Sequence, residues 1–177
     1  KVYLSLSLVQ KYTDLDFYEY QEPARVVIRH EFTGVNVEGT GKGISMKSAV
    51  FYGKHDLRVE EYAQPEVGPE DVLIQVKACG ICGTDVHIYE GDKGAAEVTP
   101  PTILGHEFSG VVVKTGDKVT EYRAGDRVCI DPNCYCGACD ACRNGEAHFC
   151  ENMIGYGTTV NGGFAEYCAV NYKQVYR

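Results

Sequence analysis

The sequence predicts a mainly β fold, and two observations carry that prediction: short runs of β-branched and aromatic residues at close spacing, and Gly, Pro or Asp punctuating them. From Met46 onward the runs MKSAVFY, LRVEEY and DVLIQVKA are followed by SGVVVKTG, DRVCI and FAEYCAV. Strands this short and this closely spaced imply a barrel or a sandwich. The exception falls after Thr84, where TDVHIYEG mixes polar and apolar residues and reads as a short helix. No internal repeat is visible.

A chain of 177 residues is one ordinary domain, or one domain with an appendage, and buries about two-thirds of its unfolded surface. A hydrophobic core is therefore possible without disulfides. The net charge of -8 and the lack of any Lys/Arg-rich run argue against a nucleic-acid partner, because phosphate binding needs a basic face. A small polar or neutral substrate fits better. No apolar run approaches the ~20 residues of a membrane helix, so no membrane partner is expected. The opening KVYLSLSLV lacks an Ala-x-Ala cleavage site and runs into charged sequence. The expectation is a cytoplasmic protein.

The chain changes character near residue 46. Residues 1–45 hold no cysteine and end in the Gly-rich string GVNVEGTGKGIS, which reads as a linker, while ARVVIRHEF before it reads as a short strand. The expected organisation is an extension over 1–45 and a domain over 46–177. The string GTGKG at 39–43 has the wrong spacing for a dinucleotide-binding turn, and Asn36 stands where a P-loop would need its first glycine. Neither NAD nor ATP phosphates should bind this chain in the usual way.

Nine cysteines are too many for an ordinary cytosolic core, and their odd number and Cys-x-x-Cys spacing favour metal over disulfides. In CGACDACRNGEAHFC, residues Cys136, Cys139, Cys142 and Cys150 can reach one tetrahedral centre. Four thiolates fill the shell of a zinc ion, so such a site is structural. Iron would suit the same sulfurs, free or paired cysteines are the plainer alternative, and Cys134 could replace Cys136, although only Cys136 keeps the regular spacing with Cys139.

A second set lies upstream. CGICGTDVHIYEG supplies Cys82, Thr84, Asp85 and His87, and ILGHEFSGVVVKTGDKV supplies His106 and Glu107. One thiolate, one imidazole and one carboxylate form a mixed ligand set that leaves zinc an open position. Singly, each residue is as well explained by packing or surface, and Cys79 with Cys82 could be a redox pair.

GHEFSGVVVKTGDKV resembles the signature of zinc-dependent alcohol dehydrogenases of the medium-chain family. The resemblance runs from about Met46 to Arg177 and takes in CGICGTDVH, the four-cysteine lobe, AGDRV at 124–128 and GGFAEY at 162–167. It implies a GroES-like, partly open β-barrel with short helices and a four-cysteine zinc lobe. GTDVHIYEG and GGFAEYCAV resemble most the polyol branch, the sorbitol or iditol dehydrogenases. By this resemblance Cys82 and His106 bind catalytic zinc with Glu107 as ligand or near neighbour, and Cys136, Cys139, Cys142 and Cys150 bind structural zinc. Thr84 contacts the substrate alcohol and takes its proton, His87 passes the proton to solvent, and Asp85 orients the zinc-bound histidine.

Family members add a Rossmann domain that binds NAD or NADP, and a further Cys or Glu zinc ligand. The sequence reaches only Arg177, and Cys168 lies in a predicted strand and does not match that ligand. The expectation is two zinc sites and the catalytic domain of an NAD(P)-linked dehydrogenase for a small alcohol or polyol. Such a domain would be inactive or nearly so alone, with NAD or NADP entering only through the missing half and a homo-oligomer left open. Two other readings are a zinc-binding β-domain that serves as a binding or assembly module, and a rubredoxin-like iron protein.

Overall fold

The computed structural model describes residues 44–92 and 97–177 in full, together with the backbone of residues 16–19 and 26–29. Strands β1 (Asp16–Glu19) and β2 (Val26–Arg29) pair antiparallel, and β2 falls inside the predicted ARVVIRHEF strand. The Gly-rich string read as a linker lies outside the described residues up to residue 43. The hairpin of β3 (Ser45–Gly53) and β4 (Asp56–Ala63) comes next, and then the longest strand, β5 (Asp71–Ile81).

Helix α1 (Gly83–Glu90) follows β5 directly, in the place where the sequence predicted one. The chain continues through β6 (Thr102–Ile103), β7 (Glu107–Thr115), β8 (Arg127–Ile130) and β9 (Asn133–Cys134). The short helix α2 (Asp140–Arg143) and a 3-10 turn at Ala147–Phe149 make up the cysteine-rich excursion. Strands β10 (Ile154–Gly155), β11 (Tyr167–Asn171) and β12 (Val175–Tyr176) complete the described chain.

Strand β5 organises the molecule. One of its edges carries β7, and the other is shared, with β11 along Asp71–Gln75 and β2 along Ala78–Ile81. A strand with neighbours on both edges and layers on both faces needs apolar residues without alternation. Val72, Leu73, Ile74 and Val76 are accordingly all buried. Strands β3 and β7 instead alternate: Met46, Ser48 and Val50 point inward from one, Phe108, Gly110 and Val112 from the other.

The larger sheet runs β1-β2-β5-β7-β8-β12, and the smaller runs β4-β3-β6. Residues 164–166 tie the two together: Ala49 N donates to Phe164 O at 2.8 Å, Glu166 N to Lys47 O at 3.1 Å, and Val76 N to Glu166 O at 2.9 Å. The result is a curled half-barrel that is mainly β. The predicted strand over FAEYCAV therefore begins three residues late, at Tyr167, because its first residues serve both sheets. Val50, Val72, Ile74, Ile103, Val112 and Val170 are the largest fully buried side chains. Each contributes about 1.5–3 kcal/mol by leaving water. Among the described residues no helix is long and apolar enough to cross a membrane.

Candidate metal centre

The strand-to-helix junction places the first ligand. Cys82 follows the last residue of β5 and is the N-cap of α1, with extended backbone angles of φ -110 and ψ -178. Its sulfur accepts from Thr84 N at 3.3 Å, and Asp85 Oδ2 accepts from Cys82 N at 2.8 Å, which closes a capping box. A sulfur at a helix N-terminus can accept from one of the backbone N–H groups left free in the first turn. The cap thus fixes where the Cys82 sulfur stands.

The second and third ligands come from the junction of β6 and β7. Gly105, at φ +89, turns the chain so that His106 faces the helix N-terminus. His106 Nε2 lies 3.1 Å from Cys82 Sγ. Glu107 is the first residue of β7 and pairs in register with Gly80 of β5. A Cβ on Gly80 would stand 2.8 Å from Glu107 Oε2, so the missing side chain makes room for the carboxylate. One ligand atom each of Cys82, His106 and Glu107 lies within 4.8 Å of the others.

Asp85 sits behind this group, 4 % exposed. Its Oδ1 is 3.7 Å from His106 Nδ1, and both atoms are buried without a hydrogen-bond partner. A carboxylate facing the rear nitrogen of a histidine fixes the ring tautomer and leaves the front nitrogen free to bind metal. Unpaired polar atoms are costly in a folded interior. This donor set and its carboxylate support fit a zinc ion with a position left open for a further ligand.

The four-cysteine lobe is built locally. Cys136, Cys139, Cys142 and Cys150 present sulfurs that all lie within 4.8 Å of one another. Cys136 Sγ accepts from Ala138 N at 3.4 Å and Cys139 N at 3.3 Å, and Cys136 N donates to Cys150 Sγ at 3.3 Å. The Ala138 N–H, followed by that of Cys139, holds the Cys136 thiol down at about 6. Cys142 is pushed up to about 12, first by loss of solvent and then by the adjacent sulfur of Cys139. Sulfurs this crowded do not all ionise without a cation among them, and a zinc ion fits four thiolates.

Cys134, the alternative to Cys136, stands outside the four-sulfur group, on β9 opposite Ile154. Burial raises its thiol above the ordinary value. The redox-pair reading of Cys79 and Cys82 fails on placement: both are free, and Cys79 is a core residue 2 % exposed, whose thiol burial pushes far up. Cys168 is buried at 3 % and lies outside both ligand groups.

The remaining predicted residues divide. Thr84 and Asp85 occupy the first turn of α1 beside Cys82. His87 is exposed on the same helix, its Nδ1 2.8 Å from Asp92 Oδ2, and is not gathered with the ligands. A separate cleft of about 460 Å³ is lined by Met46, Tyr62, Tyr156, Asn161 and Tyr167 among others, and by none of the candidate ligands. Sequence reading quoted GGFAEY at 162–167 but did not foresee that this segment lies against Gly105. Its only sequence signal is the paired glycine Gly162–Gly163, opposite the glycine that precedes His106.

Comparison with known proteins places this arrangement. The alcohol dehydrogenase GroES-like domain matches residues 68–177, well over half of the chain. An L-threonine 3-dehydrogenase from Caldanaerobacter subterraneus subsp. tengcongensis is 44% identical over 126 residues, covering 71% of this chain and 36% of the relative. A crystal structure from Sinorhizobium meliloti 1021, described as a zinc-binding dehydrogenase bound to NADP, superposes with a TM-score of 0.71 at 41% identity. It covers 75% of this chain and 38% of its own. The 2R,3R-butanediol dehydrogenase of Bacillus subtilis gives a TM-score of 0.66 at 36% identity, over 75% and 40% of the two chains. The chain thus spans about a third of the length of the curated relatives it matches. With its half-barrel, its four-cysteine lobe and its Cys82–His106–Glu107 group, the chain belongs to the zinc-dependent medium-chain alcohol dehydrogenase family, as its GroES-like domain.

Proposed function

We propose that residues 46–177 are the catalytic domain of an NAD(P)-linked dehydrogenase that oxidises a secondary alcohol to a ketone, with zinc at two sites. The convergence of Cys82, His106 and Glu107, with Asp85 buried behind the histidine, carries the proposal. Zinc held there supplies Lewis acidity toward an alcohol oxygen. Cys82 and His106 hold the metal, and Glu107 joins them or stands close by. Asp85 keeps the proton of His106 on Nδ1, so that Nε2 stays a donor to the metal.

Thr84, in the first turn of α1, takes the proton of the alcohol hydroxyl as general base. His87, exposed and paired with Asp92, hands it on to solvent. The hydride acceptor is a nicotinamide bound by a separate nucleotide-binding domain, so the chain by itself turns over little or no alcohol. The four-cysteine lobe plays no part in the chemistry, because four sulfurs leave its metal no open position.

The substrate is a small alcohol carrying a second polar group beside the reacting carbon, in the manner of a polyol. Support comes from the two named relatives: threonine bears an amino group next to its hydroxyl, and butane-2,3-diol bears a second hydroxyl. The test is a titration of the cobalt-substituted chain with butane-2,3-diol, followed by absorption. A saturable change in the cobalt bands, lost in Cys82→Ala, is expected. A spectrum indifferent to the diol and to other secondary alcohols contradicts the proposal.

A further inference from the structure

The peptide run that leads into His106 has a second run of backbone laid upon it. Asn161 Oδ1 accepts from Ile103 N at 3.0 Å, and Gly162 N donates to Ile103 O at 2.8 Å. Phe164 N then donates to Leu104 O at 2.9 Å and Gly163 N to Gly105 O at 2.7 Å. Every residue from Ile103 to Gly105 is held by a bond from residues 161–164.

The approach is too close for side chains. A Cβ on Gly162 would stand 2.1 Å from Gly105 O and 2.4 Å from Gly157 Cα, and a Cβ on Gly105 would stand 2.5 Å from Phe164 Cδ1 and 2.8 Å from Cys79 Sγ. Real Cβ contacts stay above 3.0 Å, and the atoms in the way at Gly162 are backbone. Glycine at these points is what lets the two runs touch.

Asp85, 3.7 Å behind the ring, biases the tautomer of His106 but does not tether it. Its Nδ1 falls short of a hydrogen bond to Asp85, and its front nitrogen faces only the other candidate ligands. Where the ring sits therefore follows from where Gly105 places the next Cα. We propose that residues 157–164 are the positioning scaffold of the His106–Glu107 half of the metal centre, with Asn161 as the side chain that fixes its register. Asn161 makes no hydrogen bond to a candidate ligand and acts through Ile103, two peptides upstream of Gly105. The inference rests on the metal reading above and deepens it.

Groups that support metal ligands from behind change affinity by about 10–100-fold when removed. The test is a cobalt titration of the full chain, read by absorption, with Cys82→Ala giving the spectrum of the lobe alone. Asn161→Ala should weaken cobalt at the Cys82–His106–Glu107 group by about tenfold or more and leave the lobe's affinity unchanged. Asn161→Asp, which keeps an oxygen to accept from Ile103 N, should bind as the parent does.

Gly162→Ala should lose the same signal altogether. Because that variant risks the fold, the Asn161 pair decides: its side chain is exposed, and truncating it removes one hydrogen bond. Unchanged affinity in Asn161→Ala, equal loss from both sites, or failure of Asn161→Asp to restore binding overturns the scaffold role. If the parent chain shows no signal beyond that of Cys82→Ala, the metal reading falls and takes this inference with it. If the parent signal is present and Asn161→Ala keeps it, the inference alone falls.

Discussion

The two cysteine-bearing sites are built in opposite ways. The lobe draws all four sulfurs from residues 136–150, around a four-residue helix and a single 3-10 turn, with Cys136 exposed and Cys139 and Cys142 only partly covered. The Cys82–His106–Glu107 group draws on a helix cap and on a strand start 24 residues away from Cys82 at His106. It leans on β5, whose Val72–Val76 run is buried throughout. A site made from local chain has no core to hold it, so its metal is its fold. A site hung on a finished sheet is already shaped before a metal arrives.

The largest effect that tests this contrast is metal removal. A strong chelator should melt the lobe, where zinc binding is worth on the order of 10 kcal/mol to local folding, and Cys142→Ala should do the same. Amide hydrogen exchange should then accelerate across residues 136–150 while β5 and β7 stay protected. Loss of protection in β5 as well would show that the sheet depends on metal and would end the contrast.

A smaller effect is expected at Asp85, which serves both as cap and as the neighbour of His106. In Asp85→Asn the side-chain oxygen still accepts from Cys82 N, so stability should fall by no more than about 1 kcal/mol. Metal affinity at the open site should nonetheless fall about 10–100-fold, because the amide no longer holds the histidine tautomer. Thermal unfolding and competitive zinc titration separate the two. Equal and small changes in both would make Asp85 a cap alone.

The smallest effect belongs to His87. Its ring is exposed and paired with Asp92 at the surface, so His87→Ala should leave stability within about 0.5 kcal/mol and metal content unchanged. In an enzyme completed by a nucleotide domain it should slow only the proton-release step. A variant that loses metal would show that His87 belongs to the site itself.

The same contrast explains what the sequence could reveal. The lobe was legible because ligand spacing along the chain is the geometry of the site, and Cys136 rather than Cys134 follows from regular spacing alone. The mainly β fold and helix α1 were legible from local composition. The open site's residues carried too little signal one by one, and they became readable only through the resemblance of GHEFSGVVVKTGDKV to a known signature. Their meeting depends on the Gly80–Glu107 register and on the cap at Cys82, both of which are tertiary.

Cys79 and Cys82 show the limit most plainly. They are the same residue type three positions apart, one packed in the core and the other at the helix end. Nothing local distinguishes them. Strands β6, β9, β10 and β12, each of two residues, were invisible for the same reason: partners on other strands create them, not propensity. The run over Asn161–Phe164 against Ile103–Gly105 is of this kind too.

The central claim, that one metal position is structural and the other open and independent of it, is tested most directly by counting zinc in Cys82→Ala. Starting from about two ions per chain, the variant should keep one, and residues 136–150 should remain as protected from hydrogen exchange as in the parent. A variant that retains both ions, or that loses the lobe's metal along with its own, contradicts the account.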